Sequence, residues 1–337
     1  MRGGPLIELL RGGDVRTRLS AVRAGRSAVR VAATGAALRT GLLDDLARGP
    51  ADAAGLAASR GWTAVDTLEA LLQVLQGLGL VRRTGTRWRL APRGRRILAD
   101  DVVRASYEGF SGYHTGLYGE IEQQLSGGPP RRDILERGDL IARLSRAMDP
   151  FVLAALRRIV QEGAPRRVLD VGCGSGTHLA AILEAAPGAS GVGVETDPAA
   201  ALMARRTLAG AGLDGRAEVM QGDVLDMLAD GALGEDFDLA LLANVIYYLP
   251  EPERVPLLSR LGDRLAPGGR LVVVTTVLTG STFSRHFDLL LRTQHGDMGL
   301  PTTQALTDQL RQAGLVPGAA RRIAAGEPLV AVVARRP

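Results

Sequence analysis

The chain has 337 residues, 46% of them hydrophobic, with a mean hydropathy of +0.07. That is enough length for two domains with cores of their own, and no apolar run approaches the ~20 residues of a membrane span. The formal charge of +5 is carried by arginine alone, since there is no lysine. This small excess reads as a solvated basic surface rather than a nucleic-acid footprint.

Residues 15–48 carry a long Ala/Arg/Leu helical pattern. A short helix follows from Pro50-Ala51 to Ser59, then the turn Gly61-Trp62-Thr63 and a helix from Val65 to Leu78. Two short strands, Leu80–Arg83 and Arg87–Ala91, are joined by Thr84-Gly85-Thr86, which completes a winged-helix order. A DNA-reading third helix wants Arg or amides facing base edges, but there is no arginine between Arg60 and Arg82, and Asp66 and Glu69 are acidic. That helix is expected to be buried or packed on another subunit. The wing arginines, Arg82, Arg83, Arg87, Arg89, Arg93, Arg95 and Arg96, leave phosphate contact as the only nucleic-acid option, and no nucleic-acid partner is expected.

Residues 102–160 are mostly helical and hold an aromatic cluster, Tyr107, Phe110, Tyr113, His114 and Tyr118, in a chain that is only 4% aromatic. Two readings stay open: a helix face packed on the core, or one wall of a substrate pocket. On the second, Tyr113, His114, Tyr118 and Met148 are candidate substrate contacts, together with His286 from further along the chain.

From Arg166 onward strands and helices alternate. The strand candidates are Arg167–Val171, Gly191–Glu195, Ala217–Gln221, Phe237–Ala243, Arg270–Thr276 and Leu329–Ala334. Ala266-Pro267-Gly268-Gly269 is a tight turn before the fifth, and Gln304–Ala313 is a late helix with Gly314 as its C-cap. This pattern specifies an α/β sheet covered on both faces. The expected domains are a winged-helix dimerisation domain over 1–100, a helical linker and pocket region over 101–160, and a ligand-binding α/β domain over 161–337.

Residues 168–176 read Val-Leu-Asp-Val-Gly-Cys-Gly-Ser-Gly, followed by a helical pattern from Thr177. This is a buried strand, a glycine turn and a helix N-terminus, a combination that brings bare backbone and unpaired N–H groups to a ligand. A dinucleotide site wants G-x-G-x-x-G, but here position 177 is Thr and the third glycine falls one residue early. Asp170 at the strand's end would repel a pyrophosphate and suits an ammonium group. About 20 residues past the turn, Glu195 ends a strand where a carboxylate accepts ribose hydroxyls. Asp223 follows the next strand and suits an exocyclic amine. Asn244, the one asparagine of the chain, ends the fourth. Each acid alone is equally well read as a cap on a turn. Four polar groups at successive strand ends describe a cationic, ribose- and adenine-bearing ligand without phosphates, S-adenosylmethionine.

VLDVGCGSGT, GVGVETD, GDVLD, the strand ending in Asn244, and LAPGGRLVV, in this order, resemble the class I S-adenosylmethionine-dependent methyltransferases over about residues 166–337. The resemblance implies a Rossmann-like seven-stranded sheet. It implies that Asp170, Gly172 and Gly174 line the methionine part, that Glu195 holds the ribose, and that Asp223 and Val224 flank the adenine. The helical N-terminus resembles the dimerisation domain of small-molecule O-methyltransferases of secondary metabolism, which implies an intertwined homodimer, a small-molecule acceptor and a hydroxyl oxygen as nucleophile. A cytoplasmic location is expected, because the N-terminal stretch has no apolar core of signal-peptide length and the single cysteine, Cys173, excludes an internal disulfide.

Methyl transfer needs alignment, exclusion of water and removal of a proton, but no metal. The O-methyltransferase family places a His base after the fourth strand, where this chain has Tyr247, a poor base at neutral pH but a catalytic candidate that orients the substrate or hydrogen-bonds an enolate. His178 lies behind the glycine turn as a surface or structural residue. The run Gln294-His295-Gly296-Asp297-Met298-Gly299 reads as an active-site loop, with His295 as proton acceptor or substrate anchor. This run is also similar to a segment of α-keto acid C-methyltransferases that hold a metal through two His. The second would fall near Tyr247, so no metal is expected. Three alternatives remain: C-methylation of a carbon acid, a non-methylating enzyme on this fold, and a winged-helix regulator.

Overall fold

The computed structural model describes residues 14–337, so residues 1–13 of the expected N-terminal domain, with the stretch read for a signal peptide, lie outside it. The chain divides into two compact units between Glu120 and Ile121. The first therefore takes in residues 101–120 of the expected linker, and the second takes 121–160. No helix of the described residues is long and apolar enough to cross a membrane.

In the first unit the 15–48 pattern is two helices, Val15–Arg39 and Leu42–Arg48, broken at Gly41, whose φ of +70° the preceding helix cannot adopt. Asp14 caps the first, its carboxylate accepting from the Arg16 and Thr17 amides. Helices Ala53–Arg60 and Val65–Gly77 follow, then strands β1 (Val81–Thr84) and β2 (Arg87–Leu90), paired antiparallel from Val81↔Leu90 to Thr84↔Arg87. Leu38, Leu42, Leu43, Leu56, Leu72, Leu75 and Trp88 form one core. The Trp88 indole N–H donates to Glu69 at 3.0 Å, so this acid of the third helix is occupied at the hairpin. Asp45 is buried and takes a two-point bond from Arg60 at 2.7 Å, which holds its carboxyl below the ordinary value against the cost of burial. A five-residue π-helix, Phe110–His114, joins helices Asp101–Gly109 and Thr115–Gly119.

The second unit is built on strands β3 (Arg167–Val171), β4 (Ser190–Glu195), β5 (Ala217–Gln221), β6 (Phe237–Ala243), β7 (Leu265–Thr276), β8 (Val316–Pro317), β9 (Arg321–Arg322) and β10 (Leu329–Arg335). The sheet order is β5-β4-β3-β6-β7-β10-β8, with β9 also on β10. β5 to β7 run parallel, and β10 runs antiparallel to β7. This is the expected seven-stranded sheet with one further short strand. Alternation assigns the faces. Val168, Leu239, Leu241, Val272 and Val274 pack with helices Asp149–Gln161, Thr177–Ala185 and Pro198–Gly210, while Leu169, Leu242, Leu271 and Val273 pack with Glu251–Asp263 and Thr303–Gln312.

Three expectations are refined. Pairing in β7 begins at Leu265 opposite Phe237, so the Ala-Pro-Gly-Gly turn is an irregularity inside the strand, where Leu239 next pairs with Arg270. β8 and β9 have two residues each, too short for any periodicity to mark them. Thr282–Arg292, assigned no element from the sequence, is a helix capped by Ser281 that leads into the Gln294–Gly299 loop.

Leu241 has no solvent exposure in the middle strand β6. Leu241→Ala should cost roughly 2–5 kcal/mol, which will appear as a lower urea midpoint of unfolding.

Candidate active site

The carboxyl ends of β5, β4, β3 and β6 are neighbours, and their polar groups therefore share one edge: Asp223 two residues past β5, Glu195 at the end of β4, Asp170 in β3 and Asn244 one past β6. The glycine turn folds over this edge. The amides of Gly172 and Cys173 both donate to the Val194 carbonyl, at 2.8 and 3.0 Å, and the Gly174 amide donates to Glu195 Oε2 at 2.9 Å. Gly172 has φ +68°, and a Cβ there would lie 2.5 Å from Val245 Cγ2. Gly176, at φ +75°, caps the start of the next helix, and a Cβ there would lie 3.0 Å from Ala204 Cα. At both positions backbone conformation and space exclude a side chain.

Asp170 is 1% exposed, and neither carboxylate oxygen has a hydrogen-bond partner among the described residues. Burial raises its pKa to about 6; the charge of His178 opposes that rise, Glu195 adds to it, and the approaching Leu179 amide lowers it slightly. Glu195 uses Oε1 for the Asp197 amide at 3.0 Å. Asp223 is exposed and caps helix Val224–Ala229 through the Leu225 amide at 2.7 Å, so the capping reading holds for this acid, with Val224 half-buried beside it. Asn244 takes φ +58°, a conformation that asparagine tolerates, and its amide donates to the Val274 carbonyl.

Beyond Asn244 the chain makes a short 3-10 turn, Ile246–Tyr248. Tyr247 is 4% exposed among Leu291, Leu300, Ile134, Phe287 and Met298, with its ring 4.6 Å from Tyr248 and 5.3 Å from Phe287. The Tyr248 hydroxyl is pushed up to about 12 by burial, which its hydrogen bond with Tyr247 only partly offsets. His295 is exposed on a loop that is clamped at both ends. At one end the His295 amide donates to Arg131 O at 3.0 Å, and the buried Gln294 and Arg131 side chains both donate to Asp133. At the other, Arg254 donates to Gly299 O at 2.6 Å and Leu249 O at 3.1 Å, while Asp288 accepts from the Leu300 amide at 2.9 Å. Nothing in the sequence singled out Asp133, Arg254 or Asp288, because their partners lie far along the chain.

Met148 half-buries against the core beneath helix Asp149–Gln161. His286 is half-buried on helix Thr282–Arg292 near Phe283, and burial lowers its pKa. Tyr113 and His114 are buried and Tyr118 is 51% exposed, all three in the first unit. The His114 ring stacks on Phe110 at 4.5 Å, as the core-face reading expects. A hollow between helix Asp149–Gln161 and the β8–β10 edge, lined by Phe151, Arg158, Val316 and Val333 among others, holds none of the candidate residues.

Comparisons agree with this geometry. Residues 168–269 match the family model of a methyltransferase domain. The mitomycin biosynthesis 6-O-methyltransferase of Streptomyces lavendulae is 34% identical over 33% of this chain and 30% of its own, so this chain spans under a third of that relative. The 2,7-dihydroxy-5-methyl-1-naphthoate 7-O-methyltransferase of Streptomyces carzinostaticus is 29% identical over 88% of this chain and 91% of its own. The aclacinomycin 10-hydroxylase of Streptomyces purpurascens is 38% identical over 38% and 33%. The solved structure of a mitomycin 7-O-methyltransferase superposes with TM-score 0.74 at 22% identity, covering 96% of this chain and 100% of that one. The chain therefore carries a methyltransferase domain, in the fold of an O-methyltransferase.

Asp170 makes ligand-free stability depend on pH. Its folded pKa, about 6, lies above the unfolded value of 3.8. The folded state thus holds the extra proton, and stability is lost as pH rises from about 4 to 6. Asp170→Asn removes this titration. Its effect on unfolding free energy should be more favourable at pH 8 than at pH 4 by roughly 2 kcal/mol, measured by denaturant titration at both pH values.

Proposed function

We propose that this methyltransferase domain binds S-adenosylmethionine across the carboxyl ends of β3 to β6 and moves its methyl group to a hydroxyl oxygen of a small secondary metabolite. One observation carries the reading: the buried carboxylate of Asp170, without a hydrogen-bond partner, at the end of a glycine turn. A buried charge left unpaired is costly, and an ammonium group supplies its partner. The orphaned oxygens fit the methionine end of this cofactor. Glu195 and the adjoining Asp223 and Val224 fit the ribose and adenine, and Gly172, Gly174 and Asn244 leave the backbone open beside them.

When bound, the cofactor supplies an electrophilic methyl on a sulfonium. The chain does the rest. His295 accepts the proton of the attacking hydroxyl, and the clamped loop holds it in place. Tyr247 stiffens the aromatic wall below. Met148 and His286 are the acceptor contacts this reading assigns within the second unit. A homodimer through the first unit is supported by helix Val15–Arg39, which exposes Leu19, Val22 and Val29 at 50–59%, spaced three and seven apart along one stripe. The enzyme is assigned to the cytoplasm.

A second reading, a non-methylating oxidative enzyme on the same fold, is favoured by the 10-hydroxylase among the relatives and by Tyr247 where the family has His. Mass spectrometry of the acceptor after reaction separates the two: a methyl increment and S-adenosylhomocysteine support the first, an oxygen increment the second.

Asp170→Ala should weaken S-adenosylmethionine binding by about 2 kcal/mol or more, some thirtyfold, in calorimetry; wild-type affinity would refute the site. His295→Ala should lower kcat by about a hundredfold or more with cofactor affinity retained, and full activity would remove its role. Light scattering at micromolar concentration should give a dimer mass, and Leu19→Glu with Val22→Glu a monomer.

A further inference from the structure

Helix Asp149–Gln161 buries Val152, Leu156, Ile159 and Val160 against the sheet. The neighbouring stripe, Phe151, Ala154, Ala155 and Arg158, repeats at helical spacing but is half-buried or exposed, and it lines a hollow of about 450 Å³. The opposite wall is the outer edge of the sheet. β10 contributes Ala331, Val333 and Arg335, alternate residues on one face. Beyond it the edge is in two pieces, with β8 on Ala334 and Arg335 and β9 on Val330 and Ala331. Gly318 and Ala319, between those pieces, add almost no side chain to the space, and Ala154 and Ala155 opposite are as small. The volume is that of a small-molecule pocket.

Four arginines line this hollow, Arg158, Arg321, Arg322 and Arg335, against one acid, Glu162. Glu162 pairs with Arg321 at 3.5 Å. Arg158, Arg322 and Arg335 have no side-chain partner among the described residues. A fifth arginine, the buried Arg270, stands opposite Arg335 in the sheet and donates to the Ile159 and Gly163 carbonyls, which neutralises the negative end of the helix. Asp238, a second acid that reaches Arg270, is occupied by the Arg166 and Arg167 amides. Gathered like charges cost the fold stability. Phe151 and Val316, 44% and 58% exposed, leave apolar surface uncovered on both walls. An inorganic anion would leave that surface wet, and a neutral hydrocarbon would leave the guanidinium groups unpaired. An anionic group on a flat aromatic body satisfies both, because guanidinium forks an oxyanion and stacks on a ring.

We propose that this hollow is a second ligand site that takes a planar aromatic carboxylate or sulfonate, with its rings against Phe151 and the helix alanines and its anionic group among Arg158, Arg322 and Arg335. It holds none of the strand-end residues and stands independently of the cofactor reading.

Fluorescence titration of the full chain tests it with 8-anilino-1-naphthalenesulfonate and its uncharged twin, N-phenyl-1-naphthylamine. The sulfonate should bind saturably, more weakly as salt rises, and about tenfold or more tighter than the amine. Arg158→Gln with Arg322→Gln should weaken the sulfonate about tenfold and leave the amine unchanged. Ala155→Trp, which fills the hollow, should remove saturable binding of both probes, and Phe151→Ala, a surface change, should weaken both. S-adenosylmethionine at saturation should displace neither. Absent sulfonate binding, binding that these variants retain, or displacement by S-adenosylmethionine overturns the proposal. Equal affinity for the two probes overturns it too, leaving an apolar surface only. Sulfonate capacity per chain that falls as protein concentration rises overturns it in favour of an interface between copies of this chain.

Discussion

Everything at the carboxyl-end edge of the sheet depends on one electrostatic arrangement, a carboxylate buried near the end of β3 without a hydrogen bond to satisfy it. Folding by itself would select against it, because burial raises the Asp170 pKa to about 6 and the ionised group costs stability above that pH. It is tolerated because the surrounding frame is over-determined. The glycine turn is pinned to Val194 and Glu195 by three backbone donors, and the strand beneath is bonded on both sides, to β4 and β6. A strained or uncompensated group held in a rigid scaffold marks a ligand site more sharply than a satisfied one.

The His295 loop is built differently. His295 has no helix or strand under it; its loop is fixed by buried side chains that reach in from three other segments, Asp133, Arg254 and Asp288. Arg254 contributes by donating to two carbonyls while burial depresses its own pKa. Loops carry chemistry well when a frame of this kind restricts them.

The two units are stabilised by separate means. The first packs leucines around Trp88 and binds the buried Asp45 and the half-buried Glu69 to arginine and indole donors, so that both are structural residues. The second has a sheet whose alternating residues feed two apolar layers, which frees its strand ends for polar groups.

The sequence by itself determined the local elements with strong signals. The helices and hairpin of the first unit and the six longer strands follow from periodicity and turn residues, and the glycine spacing with Asp170 and Glu195 singled out the strand-end edge on which the proposed cofactor site rests, because both are properties of contiguous residues. It could not find β8 and β9, whose two residues carry no period, or place the Ala-Pro-Gly-Gly irregularity inside β7 rather than before it. Nor could it show which acids are spent on the fold. Asp223 caps a helix and Asp170 is unpartnered, yet both stand at a strand end in the sequence. That difference, the burial of Tyr247, the pairing of Asp149 with His178, and the clamp on the His295 loop were decided by tertiary structure alone. Burial and hydrogen bonding are set by residues distant along the chain, and no local pattern encodes them.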